Sequence, residues 1–167
     1  MLKTVNKEVW CKICPVLDDC VCIDNNVNVH FELLNSYKMN DKSYKKKEII
    51  FFNETKFNKV MTITSGWVLE YRILPDGQRS IVNIFTPGDF IGFNFDDNFL
   101  SKSTFVAITD VKCCMLDKKS FVNFIENKPF IAHKVIKKLT LSIESMSNYL
   151  TSVGRTDAQS RICFLIY

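Results

Sequence analysis

From Glu48 to Leu116 the chain is a succession of short runs rich in β-branched and aromatic residues. The runs are Glu48 to Phe52, Lys59 to Thr64, Trp67 to Leu74, Arg79 to Phe85, Phe90 to Phe93, Ser103 to Thr109 and Val111 to Leu116. Such residues fit a pleated, half-buried surface. Between the runs stand a polar turn from Asn53 to Asn58, Ser65-Gly66, Pro75-Asp76-Gly77-Gln78, Thr86-Pro87-Gly88-Asp89, and a loop containing Asp96, Asp97 and Asn98. Proline presets the first corner of such a turn and glycine supplies its positive φ. Short strands with turn chemistry every eight to twelve residues or so predict a mainly β fold, a barrel or jelly roll.

Near Asp117 the period changes. A helix is expected to start around Asp117-Lys118-Lys119-Ser120-Phe121, and a long one to run from Pro129 to about Val153 with Gly154 as its stop. Along the long helix Ala132, Ile136, Leu139, Ile143, Met146, Leu150 and Val153 recur at alternating spacings of four and three. A helix lying on its own barrel needs only a broad stripe of period 3.6. A strict alternation is the seam of a parallel coiled coil, so these seven residues are the expected interface of a homodimer. Residues 25–40 read as a short helix. Residues 155–167 begin a fresh helix with a capping-type start that is cut off in its apolar phase, as at a fragment boundary.

Four of the seven cysteines fall within twelve residues, at Cys11, Cys14, Cys20 and Cys22. Thiols crowded into a polar terminal segment are better explained as ligands than as core filler. Cys22 completes a local C-x2-C-x5-C-x-C set that could hold a tetrahedral zinc. Cys163 lies in an apolar run and reads as packing. Cys113 and Cys114 are consecutive in a strand and must face opposite ways, so at most one of them can be a ligand.

A chain of 167 residues with 47% apolar content can fold without disulfide staples, and an odd number of cysteines would leave one unpaired. A reducing, cytoplasmic setting is therefore expected. No leader pattern precedes the polar start, and no run approaches the roughly 18 apolar residues that span a bilayer. The net charge of +4 owes much to Lys42, Lys45, Lys46 and Lys47, which read as a solvated face rather than a nucleic-acid site. His30 and His133 are far apart and give no three-ligand or Cys/His spacing, and Asp96 with Asp97 is explained by a polar loop. No enzyme is expected.

Several of these segments resemble the sensor half of the Crp/Fnr family of bacterial transcription regulators. Ser65-Gly66-Trp67-Val68 and Leu74-Pro75-Asp76-Gly77-Gln78-Arg79 resemble that family's SG strand and hairpin. Pro87-Gly88-Asp89-Phe90-Ile91-Gly92-Phe93 resembles its PGD-x-x-G motif, and Asp157-Ala158-Gln159-Ser160-Arg161-Ile162 resembles the start of the helix leading to the DNA-binding domain. The resemblance implies a cyclic-nucleotide-binding-like β-roll, a double-stranded β-helix or jelly roll, followed by a long dimerisation helix. It divides the chain into a cysteine segment (1–24), the roll with flanking helices (25–128), the long helix (129–154) and the start of a helix-turn-helix domain (155–167) that would lie beyond this chain.

The family's cyclic-nucleotide binders carry a Glu after the Gly-aromatic segment and an Arg that takes the phosphate. Here the stretch Asn94-Phe95-Asp96-Asp97-Asn98 is acidic and no Arg stands between Arg79 and Arg155, so no cyclic nucleotide is expected. The Fnr branch carries C-x2-C-x5-C plus one cysteine late in the roll. Cys11, Cys14 and Cys20 match the spacing, and Cys114 falls where that branch has its fourth ligand. The resemblance thus implies a 4Fe-4S cluster on Cys11, Cys14, Cys20 and Cys114, with zinc as the alternative metal. It also implies oxygen or redox sensing, DNA and RNA polymerase as partners, and a polymerase contact at the hairpin tip through Asp76 and Arg79.

Overall fold

The computed structural model describes residues 39, 41–56, 58–92 and 100–155, excluding the side chains of 152–155. Among the described residues, eight strands lead into two helices. The strands are β1 (Lys42–Tyr44), β2 (Ile49–Phe51), β3 (Lys59–Ser65), β4 (Val68–Ile73), β5 (Arg79–Phe85), β6 (Phe90–Ile91), β7 (Thr104–Ala107) and β8 (Val111–Asp117). The helices are α1 (Lys118–Asn127) and α2 (Pro129–Arg155). Two antiparallel four-stranded sheets form, in the orders β1-β8-β3-β6 and β2-β7-β4-β5. Consecutive strands repeatedly land in different sheets, which is the weave of a jelly roll and the β-roll expected from the strand-and-turn pattern.

The inner faces bury Tyr44, Met61, Ile63, Val68, Ile91, Phe105, Ala107, Val111, Cys113 and Met115. Along β8 the odd-numbered residues Val111, Cys113 and Met115 point inward, as a period of two requires. Phe105 meets Phe51 edge-on at 6.2 Å and Phe85 at 5.8 Å between ring centroids, lining the inner face of the β2-β7-β4-β5 sheet.

The turns form as their chemistry predicts. In the β4–β5 hairpin Gly77 N–H donates to Leu74 O (2.9 Å), Leu74 N–H donates to Gln78 O (2.8 Å), and Asp76 Oδ1 accepts from Gln78 N–H (3.0 Å). In the Thr86 to Asp89 turn, Asp89 N–H donates to Thr86 O, while Asp89 Oδ2 accepts from both Thr86 N–H and Oγ1–H. Gly88 N–H then donates to Ile63 O, and Ile63 N–H to Asp89 O, fastening this turn to β3.

The strand-to-helix change at Asp117 is a side-chain cap. Its Oδ2 accepts from Ser120 N–H and Oγ–H, both at 3.0 Å. α1 packs against β8 and β3 and buries Phe121, Phe124 and Ile125.

One strand went unread and one expectation is corrected. Lys42, Lys45, Lys46 and Lys47 are all exposed, as a solvated face requires, but Lys42 also opens β1, which pairs with β8 through Lys42↔Cys113 and Tyr44↔Val111, while Lys45 to Lys47 make the following turn. Three short residues of strand carry too little periodicity to be read from sequence. Gly154 does not stop the long helix, which runs to Arg155. A glycine in a helix costs only about 1 kcal/mol, which one final turn can absorb.

The chain divides into two compact units, Met1–Asn127 and Lys128–Tyr167. Within α2, Ile131 and Val135 are buried near its start, one position round from the expected seam. Ala132 is half-buried, and Ile136, Leu139, Ile143, Met146 and Leu150 are exposed, from 40% for Leu139 to 68% for Ile143 and Leu150. The side chain of Val153 lies outside the described residues.

Three connections cross where the β1–β2 turn, the Gly66 turn and the β7–β8 turn meet. Asp110 Oδ1 accepts from Lys46 N–H at 3.0 Å and Oδ2 pairs with Lys45 Nζ at 3.0 Å. The Lys46 amide, then the Lys45 ammonium, hold this exposed carboxyl below its ordinary value of 3.8. Its stabilising contribution is present above the unfolded carboxyl's pKa and is lost as pH falls through the lower folded value. An Asp110→Asn variant is therefore expected to show a shallower loss of melting temperature on acidification below about pH 4. Parallel pH–melting curves for the variant and the original chain would refute this.

Candidate functional site

β8 carries the one expected metal ligand that lies within the described residues. Its two cysteines occupy opposite faces. Cys113 is buried among Tyr44, Met61 and Met115; its thiol donates to Lys42 O at 3.4 Å and lies 3.8 Å from Met61 Sδ. Burial, then the nearby Asp41 carboxylate, push this thiol up to about 11. Cys113 thus points into the core, away from any segment outside the roll.

Cys114 is half-buried on the other face, opposite Thr62 of β3, with exposed Lys112 and buried Leu116 as its same-face neighbours along the strand. The chain arriving from the N-terminal side passes close by: Met39 N–H donates to Met115 O at 2.8 Å, and Met39 packs against the core. Met39 is thus hydrogen-bonded one residue from Cys114, 19 positions after Cys20 in the sequence. At about 3.4 Å per residue, the stretch between Cys20 and Met39 is long enough to fold back on the strand.

Cys11, Cys14, Cys20 and Cys22 lie outside the described residues, as do His30, Asp96, Asp97 and Cys163. Among the described residues, no three His, Cys, Asp or Glu side chains gather into a group that could hold a metal. A metal at Cys114 would therefore draw its remaining ligands from outside the described residues. The donor set Cys11, Cys14, Cys20 and Cys114 fits four thiolate ligands, with Cys113 removed from the competition by its orientation.

The other expected site residues are far simpler. Asp76 and Arg79 are both exposed, Asp76 engaged with Gln78 and Arg79 stacked on the Tyr71 ring at 4.6 Å. His133 is exposed on α2. Sequence reading passed over Arg72, whose Nε donates to Ser103 Oγ at 3.0 Å. The two are 31 residues apart in sequence, and only the β4–β7 pairing brings them together.

Residues 41–128, more than half of the chain, match the family model for the cyclic nucleotide-binding domain. The chain belongs to that family. This agrees with the resemblance to Crp/Fnr sensor domains carried by the Gly66, Gly77 and Gly88 turns.

Among curated relatives the domain is similar to the nitrogen fixation regulation protein FixK of Bradyrhizobium diazoefficiens, 28% identical over 117 residues, which are 69% of this chain and 48% of FixK. It is also similar to the transcriptional activator protein FnrL of Cereibacter sphaeroides, 22% identical over 158 residues, which are 93% of this chain and 61% of FnrL. The chain thus spans about half the length of FixK. Among solved structures, FixK2 from Bradyrhizobium japonicum has the same fold, with a TM-score of 0.63 at 23% identity over 71% of this chain and 59% of that one.

Proposed function

We propose that this cyclic nucleotide-binding-like domain and its long helix are the sensing and dimerising part of a DNA-binding transcription regulator, governed by a 4Fe-4S cluster on Cys11, Cys14, Cys20 and Cys114. The observation that supports the reading is the division of labour on β8: Cys113 is committed to the core, while Cys114 lies half-buried on the opposite face, one residue from the Met39–Met115 hydrogen bond. When bound, the cluster supplies an oxidant-sensitive tie between that segment and the roll.

The chain's own residues transmit the state of that tie. Cys114 stands three residues before Asp117, whose carboxylate caps α1, and only Lys128 separates α1 from α2. α2 carries the exposed seam from Ile136 to Leu150, the surface on which two copies would pair. The regulator is not an enzyme and works in the cytoplasm; a DNA-reading domain following Tyr167 would take the signal, with RNA polymerase touched through Asp76 and Arg79. Cyclic nucleotide is not its effector.

The test is anaerobic reconstitution with iron and sulfide, followed by metal and labile-sulfide analysis and absorbance near 400 nm. Cys114→Ala is expected to lose most of the iron and the band, whereas Cys113→Ala keeps both. Full iron in the Cys114 variant would overturn the ligand set. One zinc per chain without sulfide, retained when Cys114 is replaced, would assign the metal to the local set completed by Cys22.

A further inference from the structure

The buried serine and threonine residues among those described are Thr62, Ser101, Ser103 and Thr104, and three of them have evident partners. Ser101 Oγ–H donates to Ser103 O at 2.9 Å, Ser103 Oγ accepts from Arg72 Nε–H at 3.0 Å, and Thr104 Oγ1 accepts from Asn53 N–H at 3.2 Å. Thr62 differs. It is 4% exposed, and its hydroxyl has no hydrogen-bond partner among the described residues. An unpaired buried hydroxyl destabilises a fold, and packing does not account for it, since Val60 fills the equivalent place two residues earlier without one.

Strand register decides what this hydroxyl faces. Met61 and Ile63 belong to the core, so Thr62 lies on the opposite face of the β1-β8-β3-β6 sheet. Its register partner on β8 is Cys114. Directly opposed residues hold their Cβ atoms about 4.5–5.5 Å apart, which is within reach of a hydroxyl-to-sulfur hydrogen bond. The next pair on this face, Val60 and Leu116, is 1% and 4% exposed and excludes water from that end. At the other end Thr64 directs its hydroxyl to Lys112 O at 3.0 Å. The donor left facing the cysteine is Thr62.

A neutral thiol sulfur is a weak acceptor and gives the hydroxyl little. A thiolate is a charged one, and hydrogen bonds to charged groups are about twice as strong as neutral ones. We propose that Thr62 is a positioning residue for the fourth ligand: its hydroxyl donates to the Cys114 sulfur when that sulfur is a thiolate ligand, and it slows oxidative loss of the metal group. This role rests on the ligand set proposed above. Hydrogen bonds to ligand sulfurs favour the reduced, more negatively charged state of an iron–sulfur group and so raise its potential.

Thr62→Val removes the hydroxyl and Thr62→Ser keeps it. After anaerobic reconstitution of the full chain with iron and sulfide, Thr62→Val is expected to take up as much iron as the original chain. In air it should lose its visible absorbance about tenfold faster, and its midpoint potential should be lower; Thr62→Ser should restore both. Without metal, Thr62→Val should melt no lower than the original chain, because no bond is lost. An unchanged rate and potential in Thr62→Val, while Cys114→Ala still loses its iron, would overturn the role of Thr62 and leave the ligand set standing. Full iron in Cys114→Ala, or iron in no variant, would overturn the ligand set and this role with it. A metal-free Thr62→Val chain that melts several degrees lower would show the hydroxyl already bonded elsewhere and would also overturn the proposal.

Discussion

Gly66→Ala is expected to destabilise the roll by about 3 kcal/mol or more. Gly66 has φ +85°, a left-handed conformation that costs an L-residue about 1–2 kcal/mol. A Cβ there would also lie 2.1 Å from the backbone oxygen of Asp110 and 2.9 Å from Thr109 Oγ1. Neither neighbour can step aside cheaply. Thr109 Oγ1 accepts from Trp67 N–H at 2.9 Å and donates to Asp110 O, while Asp110 is held by Lys45 and Lys46. At about 2–4 °C per kcal/mol for a chain of this size, the melting temperature should fall by roughly 10 °C.

Gly77→Ala is the matched control. Gly77 has φ +81°, but nothing lies within 4 Å of an added Cβ. It should show only the conformational cost, about 1–2 kcal/mol. Equal losses at both positions would mean that the close approach to Asp110 contributes nothing.

Ile143→Asp is expected to raise the dimer dissociation constant at least about a thousandfold, measured by sedimentation equilibrium. Ile143 is 68% exposed on α2 and central to the seam. Burying such a side chain is worth about 1.5–3 kcal/mol in each copy, and a carboxylate in its place adds a desolvation cost. A thousandfold change needs only about 4 kcal/mol. Leu141 is 54% exposed on the same helix, yet it stands about 200° round from Leu139 and so off the seam. Leu141→Asp should leave association almost unchanged. A dimer that survives Ile143→Asp but not Leu141→Asp would place the interface on the opposite face of the helix.

The contrast between Leu141 and Ile143 shows what a periodic pattern can disclose. Both are large, apolar and exposed, and only the alternation of four and three separates them. The tight turns were equally readable because proline and glycine act on φ locally. Asp117 was readable as a helix start for the same reason, since its carboxylate serves an amide three residues away. β1 was not readable: three residues show no period, and Lys42 and Tyr44 become strand only by pairing with β8. Gly154 misled because the cost of one glycine is smaller than what the rest of a helix can carry.

The cysteines divide along the same line. Spacing alone made Cys11, Cys14 and Cys20 a candidate ligand group, and strand alternation required Cys113 and Cys114 to part company. Which of the two turns inward depends on the side of β8 that meets the opposite sheet, and that is set by the register Thr62↔Cys114 and Ile63↔Cys113 with β3. Arg72 and Ser103 meet for a similar reason, through pairing between strands distant in sequence. Local chemistry, acting over four or fewer residues, was written in the chain: turns, caps and periods. Face and partner were settled by long-range strand register, because a shift of one residue would exchange the inner and outer side chains of a strand while leaving its composition and alternation unchanged.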